Sequence, residues 1–139
     1  MPNAKAQMTN QAQNPNVKRK LYDLEERTAV FGELVIEFAK TIPQSIITRP
    51  LINQIVRSAT SIGANYMEAD AASTKKDFRH KISICKKEAK ETMHWLRMLA
   101  RAQADKSDDC RRLWKESHEL VLIFSAILNS KKNNGQEGF

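Results

Sequence analysis

Apolar residues recur at helical spacing in four blocks of this chain, and no block alternates strictly as a half-buried strand would. The first block runs from about Leu21 to Thr41 and places Leu24, Thr28, Phe31, Leu34, Val35 and Phe38 on one face. Asp23, with Glu26 three residues on, resembles a capping box. Ile42-Pro43 ends the helix, because proline disfavours a helical residue before it and offers no backbone donor.

The second block begins near Pro50, a residue suited to a first helical turn, and fades near Ala72. Leu51, Ile52, Ile55, Ala59, Ile62 and Tyr66 form its apolar face. The third starts near Ser73 or Thr74, with Thr74 and Asp77 as another box-like pair, and buries Phe78, Ile82, Cys85, Ala89, Thr92, Leu96 and Leu99. The fourth follows the polar turn Ala104 to Asp109 and uses Leu113, Ser117, Leu120, Val121, Phe124, Ile127 and Leu128. Short connections make consecutive helices antiparallel neighbours. The predicted fold is therefore all-α, an up-down-up-down four-helix bundle. Val30, Ile36, Ile84, Trp95, Leu122 and Ile123 lie off the main stripes, and some are expected to meet another subunit.

The segment Arg57 to Ala72 departs from ordinary helix composition. Ser58, Ala59, Ser61, Gly63 and Ala64 crowd it. An interior glycine costs a helix roughly 1 kcal/mol against alanine, so its presence implies close approach of another backbone or of a ligand. Arg57, Asn65 and Glu68 share the segment. They are expected to join Glu88 and Glu91 of the third helix in a structural polar network, with Arg57 gripping a carboxylate. Such a network sets register more than it adds stability.

Length and composition narrow the class. The chain has 139 residues, enough for one domain with a real core. Residues 1–20 and 131–139 are polar and poor in large apolar side chains, so both are expected to be disordered tails around a folded region, 21–130. No apolar run approaches the roughly 18 residues of a membrane span, and the N-terminus lacks the apolar core of a signal peptide. Cys85 and Cys110 have no metal-ligand spacing and read as reduced thiols of a cytoplasmic protein.

The formal net charge is +7, unevenly spread. The first helix is acidic through Glu25, Glu26, Glu33 and Glu37. The third is strongly basic. At about 100° per residue, Lys75, Lys76, Arg79, Lys86, Lys87, Lys90, Arg97 and Arg101 fall within one third of its circumference, away from the core face. A stripe of that length suits contact with several phosphates of a duplex or a folded RNA, and such contacts give affinity without base specificity. Two other readings compete: a solvated face, or the counterpart of the acidic helix on a neighbouring subunit. Aromatic residues do not interleave the stripe, so stacking on unpaired bases is not indicated, and Trp95 and Trp114 are expected to be core or interface aromatics rather than a stacking platform.

No catalytic residues are assigned. Glu91 and His94 have the Glu-x-x-His spacing of di-iron bundles, but those proteins use two such motifs and this chain has one. No metal site and no cofactor are expected. Gly-rich phosphate loops and zinc spacings are absent.

The runs DLEERTAVFGELVIEFAK (Asp23 to Lys40), LINQIVRSATSIGANYMEADAA (Leu51 to Ala72) and DFRHKISICKKEAKETMHWLRML (Asp77 to Leu99) resemble the bacterial four-helix bundle proteins also called 23S rRNA-intervening sequence proteins. The resemblance spans about residues 21–130, and RSATSIGANY and KEAKET are its most specific strings. His94 departs from it, standing where an aromatic residue, often tyrosine, precedes the Trp-Leu pair. The resemblance implies a homopentameric ring and no enzymatic activity. The accessory variability proteins of diversity-generating retroelements are a related group, binding nucleic acid and a reverse transcriptase through a basic surface. Two functions are therefore expected as alternatives: a nucleic-acid or ribonucleoprotein scaffold, or an adaptor ring that recruits a protein such as a reverse transcriptase through apolar surface.

Overall fold

A computed structural model describes the backbone of residues 23–137 and the side chains of 23–130. Four helices follow one another: α1 (Leu24–Lys40), α2 (Thr48–Asp70), α3 (Lys75–Ala102) and α4 (Ser107–Glu137), with a single 3-10 turn (Ala104–Lys106) before α4. The described residues contain no strand. No helix among them is long and apolar enough to cross a membrane. The tail assigned to residues 1–20 lies outside the described residues. The backbone of α4 continues to Glu137, beyond the Ser130 boundary drawn from composition. The side chains of residues 131–139 lie outside the described residues.

Helix ends are set by side chains that satisfy otherwise orphaned N–H groups. The Asp23 carboxylate accepts from the Glu26 N–H at 3.3 Å. The Thr74 hydroxyl accepts from the Asp77 N–H at 3.1 Å. α2 starts two residues before Pro50, and Ser45 serves it: its Oγ accepts from the Ile47 and Thr48 N–H groups at 3.2 and 3.0 Å. Thr48 Oγ1 then donates to the Pro43 carbonyl at 2.7 Å, folding the connection onto itself. Pro50 occupies the first turn, where its missing N–H costs nothing.

All four helices are antiparallel to their neighbours. Thr28 of α1 lies against Gly63 of α2, while Gly32 lies against Ala59 and Thr60. Between α2 and α3, Ser58 Oγ and Thr92 Oγ1 share a hydrogen bond of 2.8 Å, and Cys85 Sγ donates to the Ile62 carbonyl at 3.5 Å. Between α3 and α4, Ser117 Oγ donates to the Ala89 carbonyl at 2.8 Å. α1 touches α4 only sparsely. A bidentate pair joins them, with Arg27 Nε and Nη2 donating to Glu116 at 2.9 and 2.8 Å.

The core is one cluster that includes Phe31, Val35, Ile55, Ile62, Ile82, Leu96, Leu99, Leu120 and Phe124. Most periodic positions are buried as expected. Phe78, Leu51, Ile52, Tyr66, Leu113, Ile127 and Leu128 pack at its edge. Leu34 differs: it is exposed, because it sits on the thin α1–α4 seam. Of the off-stripe apolar residues, Trp95 and Ile123 pack against the core, whereas Ile36 and Leu122 stay exposed. The buried polar side chains are all hydrogen-bonded among the described residues, as burial requires.

Candidate nucleic-acid interface

The small residues of α2 act where α1 crosses. A Cβ on Gly63 would lie 3.3 Å from Thr28 Oγ1 and 3.5 Å from the Thr28 backbone. Thr28 itself donates to the Leu24 carbonyl at 2.6 Å, so it cannot move away without losing that bond. The α1–α2 packing thus uses glycine for close backbone approach, and the segment Arg57 to Ala72 is largely an interface within the chain.

On the opposite flank of α2, Arg57 meets the carboxylates of α3. Its Nη1 donates to Glu88 Oε2 at 3.2 Å, and its Nη2 pairs with Glu91. Gln54 Oε1 accepts from Arg57 Nε, and Trp95 Nε1 donates to Glu91 Oε2 at 3.0 Å. Glu88 is 6% exposed, so this carboxylate depends on its partners. Two residues assigned to this network stand apart from it. Glu68 pairs instead with Lys81 of α3 at 2.7 Å. Asn65 donates to the Ser61 carbonyl of its own helix at 2.9 Å. Both lie farther along α2 than Arg57, opposite an earlier part of α3, because the helices run antiparallel.

These pairings decide the electrostatics of α3. Glu88 and Glu91 lie on the α2 flank of the helix, where the single cation Arg57 offsets part of their charge. Lys75, Lys76, Lys87, Lys90, Arg97 and Arg101 are exposed, and Lys86 is half-buried. Among the described residues, only Lys87 of this set approaches a carboxylate, Glu88, at a loose 4.0 Å. Several cations elsewhere are paired, Arg27 with Glu116 and Glu119, Lys40 with Glu37, Arg111 with Asp108 and Arg112 with Asp109, whereas Arg49, Lys106 and Lys115 are not among the ion pairs of the described residues. Arg79 leaves the stripe in function, since its Nη1 donates to the Leu128 carbonyl of α4 at 2.8 Å. Lys75 and Arg101 are separated by about 39 Å of helix axis, at 1.5 Å per residue, so the cations run the length of the bundle.

Glu91 is turned to Arg57 and Trp95, while His94 is exposed and sits edge-on to Trp95 at 4.9 Å. Among the described residues, no three His, Cys, Asp or Glu side chains converge as a metal site would require. Two open grooves flank α1. The α1–α2 groove, about 560 Å³, has the acidic rim Glu25, Glu26 and Glu33 over the small floor Gly32 and Gly63. The α1–α4 groove, about 410 Å³, is lined by Leu34, Phe38 and Leu113. Both cysteines are buried and free. Burial pushes the thiol of Cys85 up to about 12 and that of Cys110 to about 11, so both stay protonated and unreactive near neutral pH.

Trp114 is exposed and outside the core cluster, where the sequence suggests a core or interface aromatic. Trp114 and His118 of α4 stack with ring centroids 5.2 Å apart and planes 27° from parallel. Their spacing of four residues was the available signal, since it places side chains one above the other on a helix.

Residues 22–126 match the family model of the 23S rRNA-intervening sequence proteins. A crystal structure from Bacteroides thetaiotaomicron, described as a protein of unknown function from the S23 ribosomal protein family, is similar at 28% sequence identity and a TM-score of 0.68. The alignment covers 79% of this chain and 98% of that one. No functionally curated protein matches the chain. A family match over most of the folded region, together with a like structure over nearly its whole length, gives the assignment: the chain belongs to the 23S rRNA-intervening sequence protein family.

Proposed function

We propose that this protein is a non-enzymatic, cytoplasmic scaffold that binds nucleic acid or a ribonucleoprotein through α3. The observation that carries this reading is the row of exposed cations on one helix, of which only Lys87 approaches a carboxylate among the described residues, while Arg27, Arg57, Arg111 and Arg112 elsewhere are ion-paired. Phosphate recognition needs charge and reach rather than a pocket. The contacting set is Lys75, Lys76, Lys87, Lys90, Arg97 and Arg101, with half-buried Lys86 at its edge. A homopentameric ring, as resemblance to the wider family implies, presents five such rows and converts weak contacts into avidity. The kinship to the accessory variability proteins belongs to the same reading.

Binding measured against salt tests it. Log affinity falls linearly with log salt, with a slope of roughly −3 or steeper, and Lys87→Glu with Lys90→Glu abolishes binding near about 50 mM salt. An unchanged affinity in that double variant refutes it. Light scattering tests the ring, and a monomer at micromolar concentration refutes that part.

A second reading has its own observation. Leu34, Ile36, Ile46, Ile47, Met67 and Leu122 are exposed, which is ample for an adaptor surface. It predicts capture of a protein such as a reverse transcriptase that is insensitive to salt but lost on Ile46→Ser with Ile47→Ser.

A further inference from the structure

We infer that the Trp114–His118 stack is a platform for an unpaired base, so that the ligand of this surface is a single-stranded nucleic acid rather than a duplex. The inference rests on the phosphate-binding reading of α3 and names the class of strand it takes.

Register brings the stack and the stripe to one seam. Ser117 bonds the Ala89 carbonyl and Arg79 bonds the Leu128 carbonyl. In that antiparallel register Trp114 stands level with Thr92 and Met93, between Lys90 and Arg97 along the neighbouring helix. The flank is fixed as well. Glu116 and Glu119 mark the α1 side of α4 through Arg27. Trp114 lies about 160° around the helix from Glu116, at 100° per residue, which is the α3 side. On α3, Arg57 marks the α2 side through Glu88 and Glu91. Lys86, Lys90 and Arg97 fall within about 40° of Arg79, the residue that reaches α4. Cations and aromatic pair thus edge the same α3–α4 seam.

The chemistry fits a strand with splayed bases. Trp114 is 37% exposed although it is among the largest apolar side chains, and it belongs to no part of the core cluster. Pre-stacking on His118 holds the indole in one orientation, which lowers the entropy lost on binding. Base–aromatic stacking is tolerant of sequence, and phosphates on either side of the base would find Lys90 and Arg97. A duplex hides its base faces and gains nothing from the ring. The absence of aromatic residues from α3 itself is therefore no obstacle, since α4 supplies them across the seam.

The test compares oligo(dT), oligo(U) and a mixed-sequence duplex by fluorescence anisotropy at fixed low salt. Trp114→Ala is expected to weaken both single strands by about tenfold and the duplex by less than about twofold, while Trp114→Phe retains most of the affinity. Light scattering on the same variant must show an unchanged mass. Equal loss on strand and duplex, no loss on the strands, or a fall in mass overturns the platform while the stripe reading stands. Failure of the wild-type chain to bind any of the three overturns both. Photocrosslinking of the wild-type chain to bromouridine strands is independent of any variant's folding. Crosslinks at Trp114 or His118 support the platform, and crosslinks confined to other residues overturn it.

Discussion

Arg57 of α2 holds the buried carboxylate of Glu88 in α3, donating through Nη1 at 3.2 Å. The same guanidinium pairs with Glu91, so one cation on α2 answers two acids on α3. Removing Arg57 leaves Glu88 buried without its main partner. Arg57→Ala is expected to cost about 1–3 kcal/mol, since an unmatched buried polar group carries its desolvation penalty. Adding Glu88→Gln recovers part of that loss, because the charge that needed Arg57 is gone. A double-mutant cycle by urea denaturation checks this, and strict additivity contradicts the coupling.

The two interior glycines of the α1–α2 contact should respond differently to alanine. At Gly32 a Cβ meets its nearest neighbours, Thr60 atoms, at 3.7 Å, an ordinary contact. Gly32→Ala is therefore expected to stabilise the fold by about 0.5–1 kcal/mol through helix propensity. At Gly63 the Cβ meets Thr28 Oγ1 at 3.3 Å, which offsets that gain, and Gly63→Leu is expected to cost about 1–3 kcal/mol by overpacking. Thermal denaturation of the three variants gives the ranking.

Both thiols make the fold sensitive to alkali. Their folded values of about 12 and about 11 lie above the ordinary 9.0. The unfolded chain therefore loses these protons first as pH rises. The stability each contributes is whole below pH 9.0 and is lost as pH climbs toward 12 for Cys85 and 11 for Cys110. Cys85→Ala with Cys110→Ala lowers stability at pH 7 but flattens the fall above pH 9.0. Chemical denaturation at several pH values measures both, and an unchanged alkaline slope contradicts the assignment.

Periodicity made the architecture legible because each helix of a bundle buries one stripe, and Ile55, Ile82, Leu96 and Phe124 all fell on theirs. Caps at Asp23 and Thr74 were legible for the same local reason. Partner choice across helices was not. Glu68 takes Lys81, and Arg79 takes a backbone carbonyl, because antiparallel register decides which side chains are level, and no single helix encodes that. Leu34 shows the complementary gap: its spacing is that of a core residue, yet the α1–α4 seam is too open to cover it. The Arg27–Glu116 pair closing that seam joins residues 89 positions apart. The aromatic pair was missed because its relation to the basic stripe exists only across two helices.

Whether α3 grips phosphates with its exposed cations is decided by the affinity of Lys87→Glu with Lys90→Glu for oligo(U), measured beside the wild type near about 50 mM salt. Wild-type binding is expected to weaken steeply with salt, and the variant, with its fold unchanged, is expected not to bind. Equal affinity in the two proteins, or wild-type binding indifferent to salt, would contradict that grip.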